Sequence, residues 1–495
     1  MVSKSTLTGK EYVMPSVVDD KQAIEQFLSE HNGKPIVAIQ GLGFVGAVMA
    51  LVCANAHGKE YCVIGVDRLS KESYWRIISL NEGVFPLIAE DPKIEEYFKN
   101  SRGQGNFYAT FDTEAYAYAD TIIVDINLDV DKESGDFGTL TGYEVTLDGF
   151  RKAIQAIGEK CKEDVLVLVE TTVPPGTCQK IVRPILEDCL KARSLKTDKI
   201  RLAHSYERVM PGPQYIDSIK NFPRVYSGVN TESADAAEQF LNTIIDTEKC
   251  TLTRLESTNA TEMAKVLENS YRAMNIAFIV EWSRFAEEAG VNLYEVVRAI
   301  RNRPTHTNIM LPGIGVGGYC LTKDPLLASW SRQKLFGSPT GLSMSEISVA
   351  TNDKMPDFAY RFLERQFGSL AGKSILLLGV SYRGDVGDTR FSPVDLFYEC
   401  LIHAGAELDL HDPYVSYWAE KERVVEQDLG KAINKAHHIV VLSAGHSLYT
   451  KNETVNMLMD CDTMTVYDTI GAYSPDQIKI LSTKHSVKVL GRGDL

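Results

Sequence analysis

Short apolar runs separated by amphipathic stretches recur along this chain, and they predict its strands and helices. From Lys34 a buried strand, a glycine-rich turn, a helix and a second strand follow one another, which is the pattern of a βαβ unit. Further apolar runs alternate with helical sequence, so we predict a doubly wound parallel sheet over residues 35–230. The segments are the strands KPIVAIQ, YCVIGVD, DTIIVDI and DVLVLVETTV and the helices AVMALVCANA and GYEVTLDGFRKAIQAIGEKC.

A long stretch without Pro or Gly separates Ser257 from Gly290, and its apolar residues fall on more than one helical face. A helix this long and this apolar must be buried on several sides. We predict one long helix between two domains, then a second helix, then a Gly- and Pro-rich loop over Arg301–Asp324. The spare apolar surface of the long helix indicates a subunit interface, so we expect a homodimer or a higher homo-oligomer.

After Gly372 the strand pattern returns in KSILLLGVSY, AELDLHDP, HHIVVLSA and TMTVYDT, with the helix PVDLFYECLIHAG after the first of them. The predicted fold class is therefore α/β, with two Rossmann-like doubly wound domains joined by a long central helix. The predicted division is an N-terminal extension with a short helix in AIEQFLSEH (1–34), a first Rossmann domain (35–230), a central helical domain (231–345) and a second Rossmann-like domain (346–495).

Composition and charge narrow the class of protein. With 495 residues, 44% of them hydrophobic and 24% charged, the chain is an ordinary globular protein that is too long for one core. A formal net charge of -14 argues against a nucleic-acid partner, because such binding depends on phosphate neutralisation by Lys and Arg. The nine cysteines are scattered, without a C-x-x-C pair or a zinc-like cluster, so we predict no metal and a reducing cytoplasm. Without a signal sequence or a membrane-length apolar run, we expect no membrane insertion.

Gly41, Gly43 and Gly46 form a G-x-G-x-x-G pattern between a predicted strand and a predicted helix. In dinucleotide-binding folds the first glycine allows a tight turn, the second allows close approach of the pyrophosphate, and the third allows close helix packing. Asp67 ends the next strand, where a carboxylate accepts from the ribose hydroxyls and disfavours the 2′-phosphate of NADP. We predict NAD on this ground, although Arg68 is a neighbour that suits NADP. The alternative is a Rossmann fold whose glycines serve packing alone.

The segment PGIGVGGYCLTKDP (312–325) places Cys320 in a glycine-rich loop. Glycines let the backbone approach a ligand closely, and the positive charge of Lys323 favours the thiolate form of the cysteine. Asp324 would orient the lysine or activate water. These residue types fit nucleophilic catalysis, and the alternative is that Cys320 is a small buried hydrophobe.

Lys265 and Asn269 lie four residues apart in the predicted long helix, so both project from one face. An ammonium and an amide side by side can donate to an oxygen that becomes anionic during a reaction. The alternative is a solvated surface pair. The apolar character of the helix argues against that alternative, because a charged lysine in an otherwise apolar helix indicates a functional role.

Seven ordered motifs carry a resemblance to the UDP-glucose/GDP-mannose dehydrogenase family over about residues 35–480. They are GLGFVG (41–46), ETTVPPGT (170–177), YERVMPG (206–212), EMAKVLENSYRAMNIA (262–277), GIGVGGYCLTKDP (313–325), SYRGDVGDTRFSP (381–393) and HDPYV (411–415). Because the motifs fall in three predicted domains and keep their order, the resemblance is specific.

The resemblance implies roles for residues at matching positions. The catalytic residues would be Cys320 as the nucleophile, Lys265 and Asn269 as the pair that stabilises an oxyanion and positions water, and Asp324, Glu207 and Thr172 in proton transfer and hydrolysis. The residues expected to bind NAD are Gly41, Gly43, Phe44, Val45, Gly46, Asp67, Arg68, Thr172, Lys323 and Arg390. The residues expected to bind the nucleotide sugar are Glu207, Arg208, Val209, Lys265, Asn269, Leu311, Gly315, Gly317, Tyr382 and Arg383, with Arg303 acting from a neighbouring subunit.

Two departures from the family's pattern bear on the ligands. A strand end that usually reads V-x-T-P is Val-Asp-Ile-Asn here (124–127), so one cofactor contact must be made differently. A later D-x-R is Asp-Thr-Ile (468–470), which lacks an arginine often used on the substrate. The segments YERVMPG and GVGGYC resemble members that act on UDP-N-acetylhexosamines more than members that act on UDP-glucose.

The resemblance implies an NAD-dependent nucleotide-sugar 6-dehydrogenase that oxidises the C6 alcohol of a UDP-hexose to a uronic acid. Two hydride transfers would proceed through a thiohemiacetal and a thioester on Cys320. One alternative is a two-electron dehydrogenase of the hydroxyacid type, with Lys265 as the base and a structural Cys320. Another is a non-catalytic protein that binds nucleotide sugars.

Overall fold

The computed structural model describes the chain except for residues 88–90, 136–137, 207 and 209–211. The strands are β1 Val2–Lys4, β2 Glu11–Val13, β3 Ile36–Gln40, β4 Cys62–Val66, β5 Phe107–Thr110, β6 Thr121–Val124, β7 Asp129–Ser134, β8 Leu140–Thr146, β9 Leu166–Val169, β10 Arg201–Tyr206, β11 Arg224–Gly228, β12 Leu252–Arg254, β13 Ser374–Leu378, β14 Glu407–His411, β15 Tyr417–Trp418, β16 Arg423–Val424, β17 Ile439–Leu442, β18 Thr465–Asp468 and β19 Ser486–Val489.

The α-helices are α1 Lys21–Ser29, α2 Phe44–Ala54, α3 Tyr74–Glu82, α4 Pro92–Gln104, α5 Asp148–Lys160, α6 Arg183–Ala192, α7 Tyr215–Lys220, α8 Thr231–Ile244, α9 Thr258–Glu288, α10 Leu293–Arg301, α11 Asp324–Lys334, α12 Ser343–Asp353, α13 Met355–Phe367, α14 Pro393–His403, α15 Leu429–Ile433, α16 Asn452–Asp460 and α17 Pro475–Leu481. Short 3-10 helices cover Thr113–Ala117, Pro304–His306, Ala419–Lys421 and Ser447–Thr450, and a π-helical turn over Cys178–Val182 leads into α6.

Two compact units make up the chain. The first comprises Met1–Asp129, Val145–Val266 and Ser331–Ser338, and the second comprises Val130–Glu144, Leu267–Trp330 and Pro339–Leu495. The four-part division that we drew from the sequence stays a prediction.

An eight-stranded sheet forms the first unit, in the order β12-β11-β10-β9-β6-β3-β4-β5. Its central strands β6 and β9 are buried along their whole length, as expected for strands covered on both faces. The predicted parallel arrangement is confirmed for most neighbours, but β10 and β11 pair antiparallel. The sheet also extends past residue 230, because β12 pairs with β11.

One predicted helical segment, 142–161, contains both a strand and a helix. Its first residues belong to β8, which forms a two-stranded sheet with β7, and only the part from Asp148 is helical. The strand forms because residues 140–146 pair with β7, a contact that local periodicity does not reveal. Distant residues also hold its side chains: the Tyr143 hydroxyl donates to Glu346, and Glu144 accepts from the indole of Trp330.

A single helix, α9, spans Thr258–Glu288, and it confirms the long central helix predicted from the sequence. The next helix, α10, begins where Asn292 accepts hydrogen bonds from the backbone N–H groups of Tyr294 and Glu295. Among the described residues, no helix has both the length and the apolar character needed to cross a membrane.

A five-stranded sheet forms the core of the second unit, in the order β14-β13-β17-β18-β19. All its neighbouring strands are parallel, which confirms a second Rossmann-like domain. The strand order reverses beside β13, since the chain passes from β13 to β14 on one side and returns to β17 on the other. In open α/β sheets, ligands bind outside the carboxyl ends of the strands at such a point.

Candidate functional site

The predicted site residues are distributed over both compact units. In the first unit, Gly41 follows β3 with a φ of +98°, and an added Cβ would lie 2.2 Å from the carbonyl oxygen of Asp125. A Cβ on Gly46 would lie 2.0 Å from the carbonyl oxygen of Gly41. Both positions therefore require glycine for the turn and for its packing on α2.

Gly43 differs from the other two glycines, because a Cβ there would meet nothing within 4 Å. It caps the N-terminus of α2, where unpaired backbone N–H groups and the helix dipole favour a phosphate. Open space at this position, beside glycines that are required by sterics, is the arrangement that a dinucleotide pyrophosphate needs. The loop thus fits the cofactor predicted from the sequence, and Phe44 and Val45 form the first turn of the helix.

Asp67 follows β4 and is half-buried. Its carboxylate accepts hydrogen bonds from the backbone N–H of Leu42, at 3.1 Å, and of Arg68, at 2.7 Å. The first bond ties the strand end to the glycine turn. Arg68 itself is exposed, so the acidic side chain and not the basic one is fixed beside the loop.

The ETTVPPGT segment follows β9, and a buried carboxylate from α9 holds its turn. Glu262 is fully buried and accepts from the backbone N–H groups of Gly176, at 2.6 Å, and Cys178, at 2.8 Å. Burial raises the pKa of Glu262 to about 7, although the N–H groups of this turn act in the opposite direction. Thr172, a predicted NAD and hydrolysis residue, is half-buried in the same segment.

Lys265 lies one turn after Glu262 on α9 and is only 7% exposed. Its ammonium nitrogen stands 5.5 Å from the centre of the Tyr206 ring. A lysine this buried is not part of a solvated surface pair, so the alternative weighed for this residue is excluded.

In the second unit, Cys320 is exposed and lies in the turn that starts α11. Its carbonyl oxygen accepts from the backbone N–H groups of Lys323, at 3.2 Å, and Asp324, at 2.9 Å. Because Cys320 is exposed, the alternative that it is a small buried hydrophobe is excluded.

Asp324 is fully buried and joins two other predicted site residues. Its carboxylate accepts from the Lys323 ammonium at 3.0 Å and from the Asn269 amide at 2.6 Å. Lys323 is 6% exposed, and its nitrogen lies 4.5 Å from the centre of the Tyr319 ring. The carboxylate thus neutralises the lysine and fixes the direction of the amide.

The glycine loop before Cys320 lies against Tyr382. A Cβ on Gly317 would lie 2.4 Å from the Tyr382 Cβ, and one on Gly318 would lie 2.8 Å from its ring. Burial first, and then Asp388 and Cys320, raise the pKa of Tyr382, while Arg383 and Arg390 lower it. Two of the predicted substrate residues, Gly317 and Tyr382, therefore lie in contact at the loop that leads to Cys320.

The other predicted site residues differ in their surroundings. Gly315 has a φ of +153° and packs on Pro393. Arg390 makes a two-point ion pair with Asp388. Three residues are exposed: Leu311, Arg303 and Arg383. Arg208 donates to the Pro223 carbonyl, at 2.6 Å, and to the Tyr206 hydroxyl. Glu207 and Val209 lie outside the described residues.

Two buried features were not predicted from the sequence: the Glu262 carboxylate and the Glu170–Arg224 ion pair. The Arg224 guanidinium donates to the Glu170 carboxylate at 2.9 Å, and the two side chains are 2% and 0% exposed. Glu262 had a recognisable signal, since it is an acidic residue inside an apolar helix, three positions before Lys265. Arg224 had none, because its partner is 54 residues away in the chain.

Comparison with known protein families agrees with this geometry. Residues 36–245 match the NAD binding domain of the UDP-glucose/GDP-mannose dehydrogenase family, residues 259–353 match its central domain, and residues 376–475 match its UDP binding domain. The chain belongs to this family. It is accordingly an NAD-dependent nucleotide-sugar dehydrogenase, which confirms the enzyme class, the cofactor and the sugar-nucleotide ligand predicted from the sequence.

Among its relatives, the UDP-N-acetyl-D-mannosamine dehydrogenase of Pyrococcus horikoshii is 31% identical over 82% of this chain and 88% of its own length. A solved structure of the Pyrococcus horikoshii enzyme superimposes with a TM-score of 0.77 at 26% identity, covering 93% of this chain and all of the other. An NDP-N-acetyl-D-galactosaminuronic acid dehydrogenase from Methanosarcina mazei superimposes with a TM-score of 0.75, also at 26% identity, covering 95% and 98%.

Proposed function

We propose that this dehydrogenase oxidises the C6 alcohol of a UDP-hexose to a carboxylate and that Cys320 carries the intermediate. The observation that supports this most is the position of Cys320, which is exposed in the turn that starts α11, follows a glycine loop and stands three residues before the buried Lys323–Asp324 pair in the chain. An exposed cysteine held at a helix N-terminus is suited to attack a carbonyl carbon as a thiolate. All nine cysteines are free thiols, which fits a reducing compartment, so we place the enzyme in the cytoplasm.

The oxidation removes four electrons in two steps. NAD⁺, held by the glycine turn and Asp67, would accept one hydride in each step, so two equivalents are needed. After the first step the Cys320 sulfur forms a bond to the aldehyde carbon, and the carbonyl oxygen becomes an alkoxide. Loss of the second hydride from that carbon leaves a thioester, and water releases the carboxylate and restores the thiolate.

The substrate oxygen becomes negatively charged when the thiolate adds to the aldehyde and again when water attacks the thioester, so hydrogen-bond donors must stabilise it in both steps. Lys265 and Asn269 lie four residues apart on α9, and we assign them to donate to this oxygen and to position the attacking water. Asp324 holds the Asn269 amide at 2.6 Å, so that the amide group is already oriented when charge develops. We retain Asp324, Glu207 and Thr172 for proton transfer and hydrolysis.

We propose a UDP-N-acetylhexosamine as the substrate, with UDP-N-acetyl-D-mannosamine as the first to test. Support comes from the motifs that resemble those of acetylhexosamine enzymes and from relatives that carry this substrate in their names. UDP-glucose is the second candidate. NADH release measured in parallel with UDP-N-acetylmannosamine, UDP-N-acetylglucosamine, UDP-glucose and GDP-mannose tests the assignment, and turnover of GDP-mannose alone would contradict it.

The stoichiometry of NADH tests the covalent mechanism. We expect two NADH per substrate consumed, whereas a two-electron dehydrogenase would give one. Cys320→Ser should lower acid formation by roughly three orders of magnitude or more, because a hydroxyl at neutral pH is a far weaker nucleophile. Cys461→Ser, at another partly exposed cysteine, is the matched control and should leave the rate unchanged. Normal acid formation by Cys320→Ser would refute the thioester.

We also propose that the enzyme is a homodimer paired through the second-unit part of α9. One face of this helix exposes Leu267, Tyr271, Phe278, Trp282 and Phe285, which are 44–63% exposed. They recur at intervals of three, four and seven residues and so form one stripe. A continuous apolar stripe of this length marks an interaction surface.

A further inference from the structure

A buried carboxylate at the carboxyl edge of the second sheet joins three loops. Asp412 follows β14 and is fully buried. One of its oxygens accepts from the backbone N–H of Val380 at 2.9 Å and of Ser381 at 3.2 Å, and from the Ser381 hydroxyl at 2.9 Å. The other accepts from the backbone N–H of Tyr414 at 2.9 Å. The loop that follows β13 is therefore fixed at its first two residues.

An imidazole continues this network to the other end of the same loop. The Nε2 of His446, a buried residue after β17, lies 3.0 Å from the Asp412 carboxylate. Its Nδ1 accepts from the backbone N–H of Asp385 at 2.9 Å. Because Nδ1 accepts, it carries no proton, so the proton is on Nε2 and is donated to Asp412. His446 is thus held in one tautomer by partners on two different loops.

The end of the loop is also strained and reinforced. Asp385 has a φ of +57°, in the left-handed region that non-glycine residues seldom adopt. Its side chain accepts from the backbone N–H of Ser447 at 2.9 Å and from the Ser447 hydroxyl at 3.1 Å. Gly384 approaches the next loop so closely that a Cβ would lie 2.0 Å from the carbonyl oxygen of Gly445. Such strain persists only where the surroundings determine the conformation.

Between these two attachments lie Tyr382 and Arg383, which the family resemblance implies as binding residues for the nucleotide sugar. The loop leaves the sheet at β13, beside the point where the strand order reverses and where such sheets bind their ligands. We propose that Asp412 and His446 are positioning residues for the sugar nucleotide: they hold the 380–385 loop at both ends and so fix where Tyr382 and Arg383 meet the UDP group. This inference rests on the proposed function.

The proposal predicts that changing His446 weakens binding of UDP and leaves binding of NAD intact, since the NAD-binding residues of the glycine turn belong to the other unit. His446→Gln places an amide near the position of Nε2 but supplies no acceptor for the backbone N–H of Asp385. His446→Asn supplies this acceptor but does not reach Asp412. We expect either variant to raise the Kd for UDP by about tenfold, roughly 1.4 kcal/mol. The KM for the UDP-sugar should rise in parallel, with kcat at saturation little changed.

His485 gives a matched control within the same unit. It is buried, its Nδ1 accepts from the backbone N–H of Met464 at 3.4 Å, and its Nε2 lies 2.9 Å from the carbonyl oxygen of Leu458. It therefore resembles His446 in burial and bonding, but it lies at the amino ends of β18 and β19. His485→Gln should lower the melting temperature about as much as His446→Gln and leave the affinity for UDP unchanged.

Titration calorimetry with UDP and with NAD, on the full-length protein, tests the proposal. Deuterium exchange adds a direct view of the loop, because the amide of Asp385 should exchange faster in His446→Gln. Affinity for UDP within twofold of the unaltered protein in both His446 variants would overturn the proposal, as would an equal loss in His485→Gln. If the unaltered protein fails to bind UDP, the proposed function falls together with this inference. If it binds UDP and the variants bind equally well, the inference alone falls.

Discussion

Replacing Glu262 by glutamine should change how the stability of the protein depends on pH. The carboxyl group is fully buried, and its pKa rises from 4.5 to about 7, first of all through desolvation. Between these values the folded protein holds a proton that the unfolded chain releases. The protonated carboxyl thus contributes stability that is complete below pH 4.5 and is lost as the pH rises through about 7.

The size of the effect follows from the two pKa values. Because a tenfold change in proton affinity corresponds to about 1.36 kcal/mol, the unaltered protein should lose about 2 to 3 kcal/mol of this stabilisation between pH 5 and pH 8. Glutamine does not titrate, so Glu262→Gln should lack this loss. Glutamine can accept from only one of the Gly176 and Cys178 N–H groups, so the variant should be about 1 to 3 kcal/mol less stable than the protein whose Glu262 is protonated. The variant should therefore be clearly less stable at pH 5 and about as stable as the unaltered protein at pH 8.

Urea unfolding at pH 5, 6, 7 and 8, followed by circular dichroism, measures the difference between the two proteins. Comparing them at each pH removes the contribution of all other titrating groups. Glu268→Gln, which changes an exposed carboxyl group on the same helix, is the control and should run parallel to the unaltered protein. Parallel curves for Glu262→Gln would refute the reasoning, because they would mean that Glu262 titrates equally in the folded and unfolded chain.

Four further substitutions test the glycine turn, the Lys323–Asp324 pair and the proposed subunit interface. Gly46→Ala should destabilise the fold by about 1 to 3 kcal/mol through overpacking, whereas Gly43→Ala should leave the melting temperature unchanged and weaken NAD binding at least about tenfold, as measured by titration. Asp324→Asn should cost about 3 to 5 kcal/mol in urea unfolding, because Lys323 stays buried without its counter-charge, and a loss below about 1 kcal/mol would contradict the pairing. Phe278→Glu should shift the enzyme from dimer to monomer in light scattering, and an unchanged mass would remove the proposed interface.

Local features of this protein could be predicted from its sequence alone. Buried strands, the G-x-G-x-x-G turn and the uninterrupted apolar stretch of α9 each depend on neighbours a few residues apart, and all three have the predicted form in the structure. The family motifs indicated the cofactor and the enzyme class for the same reason, because each motif is a short segment whose residues act together. The sequence also placed Cys320 in a glycine loop, but it left open whether that sulfur is buried or exposed.

Contacts between distant residues, in contrast, depend on the tertiary fold. The antiparallel β10–β11 pair and the strand within 142–146 form with partners that local patterning does not reveal. Asp412 and His446 are 34 residues apart in the chain, and they touch because parallel strands bring their carboxyl ends to one edge of a sheet. Burial has the same origin, because a side chain loses water only when remote segments cover it. The raised pKa of Glu262 could therefore not be predicted from the residues next to it in the sequence, because it results from burial.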